Sequence, residues 1–378
     1  MPRSQPPFTI GIEEEYLLVN RETRQLAAQP PEELFERCKA KLGDLVQHEF
    51  MASQIEIGTP VCASPLEARG HLVHLRSTVA EIAADYNLAP IAAGTHPISK
   101  WEDHSHTDAD RYNAIAKDLQ GVSRRLLICG MHVHVGVGQD DELRMDLLGQ
   151  VSYFLPHLLA LSTSSPYWRN EDTGLACYRL SIFNELPRTG LPEQFGSYVE
   201  YQRHVDMLVN AEIIEDATKI WWDIRPSNRF PTLEMRICDV CTDVNDGVAI
   251  AALYMCILRM LTRLKSNNQR WREYSNMLIA ENRWRAQRYG IEESMIDFGM
   301  GQLVPVPELV DELIDLTKED AAEARCEDQI AHLRTIMENG TSTHRQREVY
   351  DSHRAEGADH DAAMQAVVDN LITTTRAA

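Results

Sequence analysis

Three short segments, far apart in the chain, each place two polar or charged groups two residues apart inside an apolar, strand-like run: Glu13 and Glu15, His132 and His134, Glu234 and Arg236. In a β-strand alternate residues share a face, so the members of each pair stand on one side of a sheet about 7 Å apart along the strand. At an effective dielectric of 20, two carboxylates at that separation repel by about 2 kcal/mol, and taking them out of water costs more. Divalent cations reverse the sign. Taken singly, the pairs have ordinary explanations, a charged edge strand for Gly11 to Glu15 and two satisfied core histidines for His132 and His134. Taken together, they predict a polynuclear metal site laid across the face of a sheet.

The surrounding pattern supplies that sheet. Phe8 to Val19 alternates as a strand, turns at Asn20 to Arg24 and returns around Gln25 to Ala28. Pro31 to Leu42 reads as a short amphipathic helix, and Val46 to Thr59 as a second long strand. Glu49 and Glu56 lie in that run at an odd separation, so bringing both to one site requires a bulge between them or a bend near Ala52 to Gln54. Ser64-Pro65 opens a helix reaching about Asn87, and Leu88 to Ala93 is a short buried strand. Trp101 to Asp110 reads as a polar loop. Leu126 to Val137 is the strand bearing the histidine pair. Helices are expected at Asp141 to Ser162 and Pro192 to Ile214, separated by a long irregular stretch from Ser164 to Gly190. Ile220 to Ile224 and Leu233 to Cys238 read as a strand pair joined through Arg225-Pro226-Ser227-Asn228. From Asp246 onward the pattern is helical, with breaks near Asn267, Gly290 to Gly301 and Gly340. Strands confined to the first two thirds, without regular strand–helix alternation, predict an α+β fold with an antiparallel sheet and a helical C-terminal third.

No linker or repeat divides the 378 residues, so positions 1–378 are expected as a single catalytic domain. Its core would span about 8–290, and a helical extension over about 291–378 would pack on it. A formal net charge of -20 argues against nucleic acid and anionic membrane surfaces as partners. The apolar run Val248 to Leu258 is too short to span a bilayer and reads as a buried helix. Met1 to Pro7 shows no signal-peptide pattern. The eight cysteines lie in hydrophobic surroundings, as expected of reduced thiols in a cytoplasmic protein, and Cys238-x-x-Cys241 has no second pair to complete a zinc site.

Neither G-x-x-x-x-G-K-[ST] nor a complete G-x-G-x-x-G after a strand is present, and H-E-x-x-H and G-x-S-x-G are also missing. The candidate ligands are oxygen-rich: Glu13, Glu15, Glu49, Glu56 and Glu234, with one or two histidines. Such a set favours magnesium, with manganese as a substitute. Arg225 and Arg236 offer planar forks for phosphate or carboxylate oxygens. His104-Ser105-His106 and Asp108-Ala109-Asp110 have ligand-like spacing but sit in the polar loop and read as solvated. His71 and His74 share a helix face and read as structural.

Five motifs then occur in a recognisable order: Gly11-Ile12-Glu13-Glu14-Glu15-Tyr16, Gly94-Thr95-His96-Pro97, Gly130-Met131-His132-Val133-His134-Val135-Gly136, Trp222-Asp223-Ile224-Arg225-Pro226-Ser227 and Thr232-Leu233-Glu234-Met235-Arg236. From about Phe8 to Tyr289 the chain resembles the bacterial carboxylate-amine ligases of the glutamate-cysteine ligase type two family. The resemblance implies a glutamine synthetase-like fold, a curved and mainly antiparallel sheet with helices on its outer face and with ATP and metals on the concave one. It implies one magnesium held by Glu15, Glu49 and Glu56 and a second by Glu13, His132 and Glu234. His134 would lie near the phosphates, and Arg236 would contact phosphate or the acyl group with Arg225 alongside. Ala52 stands where some relatives carry an acidic residue.

The implied reaction is attack of a carboxylate, the γ-carboxylate of glutamate, on the γ-phosphate of ATP, followed by displacement of phosphate by an amine. The resemblance further implies glutamate and an amine as partners and a homo-oligomer, with a dimer favoured. Substrate choice is expected from the Ser164 to Gly190 stretch, where Arg179 is either a carboxylate binder or a solvated loop arginine. Two rival readings use the same acidic face, a two-metal phosphoesterase and a catalytically silent magnesium-nucleotide-binding protein.

Overall fold

Strand β1 (Ile10–Asn20) alternates as its sequence predicts, and its two faces are chemically unlike: Ile12, Glu14 and Tyr16 are fully buried on one, whereas Glu13 and Glu15 on the other are only partly covered. The computed structural model describes residues 6–376, and most of the Met1 to Pro7 segment read for a signal peptide lies outside them. Around β1 the strands β2 (Val46–His48), β3 (Gln54–Gly58), β4 (Leu88–Ile91), β5 (Met131–Gly136), β6 (Ile224–Pro226) and β7 (Thr232–Met235) form a seven-stranded sheet. Its order is β6-β7-β5-β1-β3-β2, with β4 beside the C-terminal half of β1, and every pairing is antiparallel. This is the expected α+β architecture.

Helices α1 (Pro65–Ala84) and α2 (Val244–Ser266) cover the apolar face. Arg76 of α1 is buried and donates to both carboxylate oxygens of Glu14, at 2.9 and 2.7 Å. It also donates to the carbonyls of Thr242 and Cys241, at 2.7 and 2.8 Å. The Tyr16 hydroxyl adds a hydrogen bond to the same carboxylate. Helix α2 is longer than the expected apolar run. Its 23 residues would suffice by length to cross a membrane, but 83% of its most apolar window is buried within the fold, as in a core helix. The C-terminal helix Glu327–Asn339 packs against α2, and its Ile330, Leu333 and Ile336 join the same apolar core as β1.

Several expectations about local structure are corrected. Val46 to Thr59 is not one continuous strand: of the bulge and the bend expected between Glu49 and Glu56, it is the bend near Ala52 to Gln54 that forms, as a full reversal at Ala52-Ser53 that makes β2 and β3 a hairpin in which Gln47 opposes Glu56. The Gln54 N–H donates to the Met51 carbonyl and the Ser53 carbonyl accepts from Leu18, which ties the turn to β1. The polar loop is followed by an unforeseen helix, Asp110–Leu119. The irregular stretch holds a short helix, Arg179–Phe183. The helix expected from Pro192 starts only at Tyr198, where the Ser197 side chain caps it by accepting from the Glu200 N–H. Arg225-Pro226 lies within β6 and not in a turn. The break after Gly290 contains a hairpin, Ser294–Asp297 with Gln302–Pro305.

Removing one partner of a buried ion pair leaves an uncompensated charge and costs about 3–5 kcal/mol. Arg76→Leu is therefore expected to lower unfolding stability by about that amount, read from the denaturant midpoint at unchanged m-value. A loss below about 1 kcal/mol would show that Glu14 finds another partner.

Candidate active site

The face of the sheet opposite the helices is lined by side chains that the antiparallel register sets directly across from one another. Glu15 opposes Glu56 of β3, and Glu13 opposes His132 of β5. His134 opposes Glu234 of β7, which in turn opposes Arg225 of β6. Glu49 enters from the hairpin loop after β2, and Arg236 follows β7 with its N–H held by the Asp223 carbonyl at 2.8 Å. The Asp223 carboxylate is itself clamped by Arg283 through bonds of 2.6 and 3.0 Å, which explains an aspartate within that motif. Together these residues floor a cleft of about 250 Å³.

Two groups of ligand atoms converge there, each within 4.8 Å of one another: Glu15, Glu49 and Glu56, and Glu13, Glu56 and His132. The Nε2 atom of His132 is buried and has no hydrogen-bond partner among the described residues. An orphaned imidazole nitrogen beside converging carboxylates suits divalent cations that prefer oxygen and accept one histidine. Glu234 is placed differently. Arg225 grips it with both prongs, at 2.8 and 3.0 Å, and Arg236 donates to one of the same oxygens. Its ligand atoms are not among the two converging groups.

Electrostatics separates the carboxylates. Burial, with Glu49 adding repulsion, pushes Glu15 up to about 7, despite a 2.6 Å hydrogen bond from the Gly130 N–H. Burial, followed by repulsion from Glu49, Glu13 and Glu15, raises Glu56 well above the usual carboxylate range. Burial also opposes ionisation of Glu13, but hydrogen bonds with His132 and His134, at 3.4 and 3.5 Å, outweigh it and hold Glu13 well below that range. For Glu234 the burial cost is outweighed by Arg236 and Arg225, and it stays ionised. Burial and the adjacent Arg236 lower His132 to about 4, so it is neutral and able to ligate. His134 is also opposed by burial but ends raised, because Glu13 and Glu234 favour its cation; its Nδ1 lies 3.0 Å from the Thr232 hydroxyl.

Arg179 is not a solvated loop residue. It starts the short helix Arg179–Phe183, is buried, and reaches the carbonyls of Ile237 and Arg236 at 3.3 Å. Its guanidinium occupies the space where a Cβ on residue 130 would sit, so Gly130 is required for the arginine to line the cleft. Sequence reasoning missed the opposite wall, where Tyr112, Ile115, Leu119, Phe183, Leu186 and Trp221 face the acidic floor. Ile115 and Leu119, four apart, were the available signal, obscured by the polar residues around them. Of the ligand-like spacings in the polar segment, His106 bonds Asn113 at 2.8 Å, and neither spacing appears in the converging groups.

The profile of the family described as glutamate-cysteine ligase family 2 matches residues 9–369. A Rhodospirillum rubrum protein named "Putative glutamate--cysteine ligase 2" is 58% identical over 375 residues, covering 98% of this chain and 96% of its own. A protein of the same name from Jannaschia sp. (strain CCS1) is 56% identical over 369 residues, covering 98% and 97%. Among solved structures, a glutamate–cysteine ligase from Francisella tularensis in complex with AMP has a TM-score of 0.66 at 14% identity, over 98% of this chain and 89% of that one. A bifunctional glutathione synthetase from Pasteurella multocida gives 0.70 at 14%, and the chain spans only 53% of its length. At such identity the two structures show the shared fold alone.

A cation entering beside Glu15 must displace a proton below about pH 7, and a second from Glu56. Because these folded-state values lie above the unfolded one, the metal-free protein loses stability as pH rises through this window. The thermal stabilisation given by Mg2+ or Mn2+ is thus expected to be small near pH 6 and to grow as pH rises through about 7. A stabilisation independent of pH would contradict the carboxylate site. The matched family and the two close relatives, spanning nearly the whole chain, make this protein a member of glutamate-cysteine ligase family 2, the family of ATP-dependent carboxylate–amine ligases that its five motifs predict.

Proposed function

We propose that this ligase activates the γ-carboxylate of glutamate with ATP to an acyl phosphate and passes the acyl group to an amine, cysteine being one acceptor. The observation that carries the reading is the juxtaposition of converging carboxylates with three buried or half-buried arginines on one sheet face. A set of anions alone would serve many metal enzymes. Anions beside Arg179, Arg225 and Arg236 suit a substrate that brings both metal-chelating phosphates and a carboxylate of its own.

In this reading Glu15, Glu49 and Glu56 hold one magnesium. Glu13 and His132 hold a second, with Glu56 or Glu234 completing the set. When bound, the cations neutralise charge on the triphosphate and orient it. The protein's own groups do the rest by position. Arg236 and Arg225 exchange part of their hold on Glu234 for phosphoryl or acyl oxygens, and His134, whose cationic form Glu13 and Glu234 favour against burial, faces the phosphates. Arg179 supports the carboxylate end from beneath Gly130. Fixed donors of this kind cost no reorganisation as the acyl phosphate forms and breaks. The same proposal takes positions 1–378 as one catalytic unit, cytoplasmic and dimeric, and light scattering reads the last of these.

The test is ADP release by the purified chain with Mg-ATP, glutamate and a panel of amines. Release is expected only when carboxylate and amine are both present. Glu56→Gln and Glu13→Gln are expected to reduce it by about 100-fold or more with the far-ultraviolet spectrum unchanged. Phosphate release from a monoester without nucleotide, or full turnover in both variants, would sink the assignment.

A further inference from the structure

A second group of ligand-type side chains lies outside the cleft. Cys62, Glu67 and His71 bring a thiol sulfur, a carboxylate oxygen and an imidazole nitrogen within 4.8 Å of one another. Cys62 is bridged to Ile10 by both backbone hydrogen bonds, at 2.9 and 2.8 Å. Residues directly opposed in an antiparallel pair share a face, and Ile10 has the parity of Ile12 and Glu14, so the sulfur stands on the helix side of the sheet. Glu67 and His71 are four apart on α1 and present their side chains to the same side.

We propose that Cys62, Glu67 and His71 form a metal site for Zn2+, separate from the oxygen-rich cleft, with a fourth position open to water. The donor set is the argument for the ion: thiolate, imidazole and a single carboxylate select a borderline-soft cation and leave Mg2+ to the glutamates of the cleft. Zinc holds such ligands at about 2.0–2.3 Å, and atoms already gathered within 4.8 Å reach that range by side-chain rotation.

Ordinary explanations cover two of the three residues, a helix cap for Glu67 and a hydrogen-bonded core position for Cys62, and leave out His71. Ser64 accepts from the Glu67 N–H and Glu67 accepts from the Ala63 N–H at 2.7 Å, which caps α1. That hydrogen bond fixes the Glu67 side chain through one oxygen and leaves the other uncommitted. It gives no role to His71, whose ring nitrogens have no hydrogen bond or ion pair among the described residues. The Cys62 thiol donates to the Pro60 carbonyl at 3.2 Å. Zinc binding converts that thiol to a zinc-bound thiolate and releases its proton to solvent, with no change of oxidation state. Burial, with Glu67 adding repulsion, pushes the Cys62 thiol up, so the ion itself has to draw off that proton. An ion here would staple the segment after β3, the strand bearing Glu56, to α1.

The experiment strips the full-length chain with chelator and dialyses it against micromolar Zn2+ in millimolar Mg2+, so that the cleft stays filled. One zinc per chain is expected, retained in Glu56→Gln and lost in both Cys62→Ser and His71→Ala. His71 is partly exposed on a helix, so His71→Ala is expected to fold, with circular dichroism as the check, and to keep wild-type ligase turnover. Co2+ in place of zinc is expected to give a thiolate-to-metal charge-transfer band that Cys62→Ser abolishes. Absence of stoichiometric zinc, or zinc that persists in both variants, would overturn the site.

Discussion

The buried hydrogen-bonded ion pair between Glu14 and Arg76 fixes which way β1 faces, and the cleft depends on that choice. Three consecutive glutamates could occupy a strand in either of two registers. A one-residue slip would turn Glu13 and Glu15 into the helix layer and Glu14 into the cleft. Arg76 blocks the slip by placing its fork at the depth where Glu14 and the carbonyls of Cys241 and Thr242 satisfy it. Those carbonyls precede α2, so the same guanidinium joins β1, α1 and the chain entering α2. The pair's worth lies less in net energy than in the cost of every alternative that leaves it broken.

With β1 fixed, the charges on its open face fall into two unlike ends. Glu234 is neutralised by Arg225 and Arg236, whereas Glu15 and Glu56 converge with Glu49 where burial and repulsion from neighbouring carboxylates oppose the ionisation of Glu15 and Glu56. Glu13 lies between, balanced by two histidines. A site built this way is complementary to a ligand of alternating character: cations for the carboxylate end and anionic oxygens for the arginine end. On the proposed reading a magnesium nucleotide brings both. Its oxygens would compete with Glu234 for the arginines, so the resting hold on Glu234 keeps those forks oriented until they are needed.

How much of this could be read from the sequence depends on how local each feature is. The i, i+2 pairs, β1 and the antiparallel class were legible, because alternation is a local pattern that any half-buried strand must show. The shared site of Glu49 and Glu56 was inferred from their odd spacing, as a bulge or a bend near Ala52 to Gln54, and the bend is what forms, though as a complete hairpin turn. The hairpin was hidden because its turn, Ala52-Ser53, lacks the glycine or asparagine that usually announces one. Its register comes from tertiary bonds to Leu18. Glu14 carried no visible role, since its partner is 62 residues away on a helix and no local pattern links the two. Arg179 was visible as a candidate, but its burial under Gly130 depends on a short helix with no pattern of its own.

On the proposed reading, the least legible part is also the part that would discriminate substrates. The floor of the cleft belongs to the chemistry of phosphoryl and acyl transfer, which any amine acceptor would share. The wall facing it, with Ile115, Leu119, Phe183, Leu186 and Trp221, comes from two short helices, the bend after one of them, and the two-residue strand Trp221–Trp222, which pairs with Thr189–Gly190. An amine attacks an acyl phosphate as the free base. An apolar wall disfavours the ammonium form by desolvation, so on the proposed reading an acceptor seated against it would lose its proton more readily than in water. Residues that change the polarity of this wall would then alter acceptor choice and acceptor ionisation together, whereas changes in the floor would affect every acceptor alike.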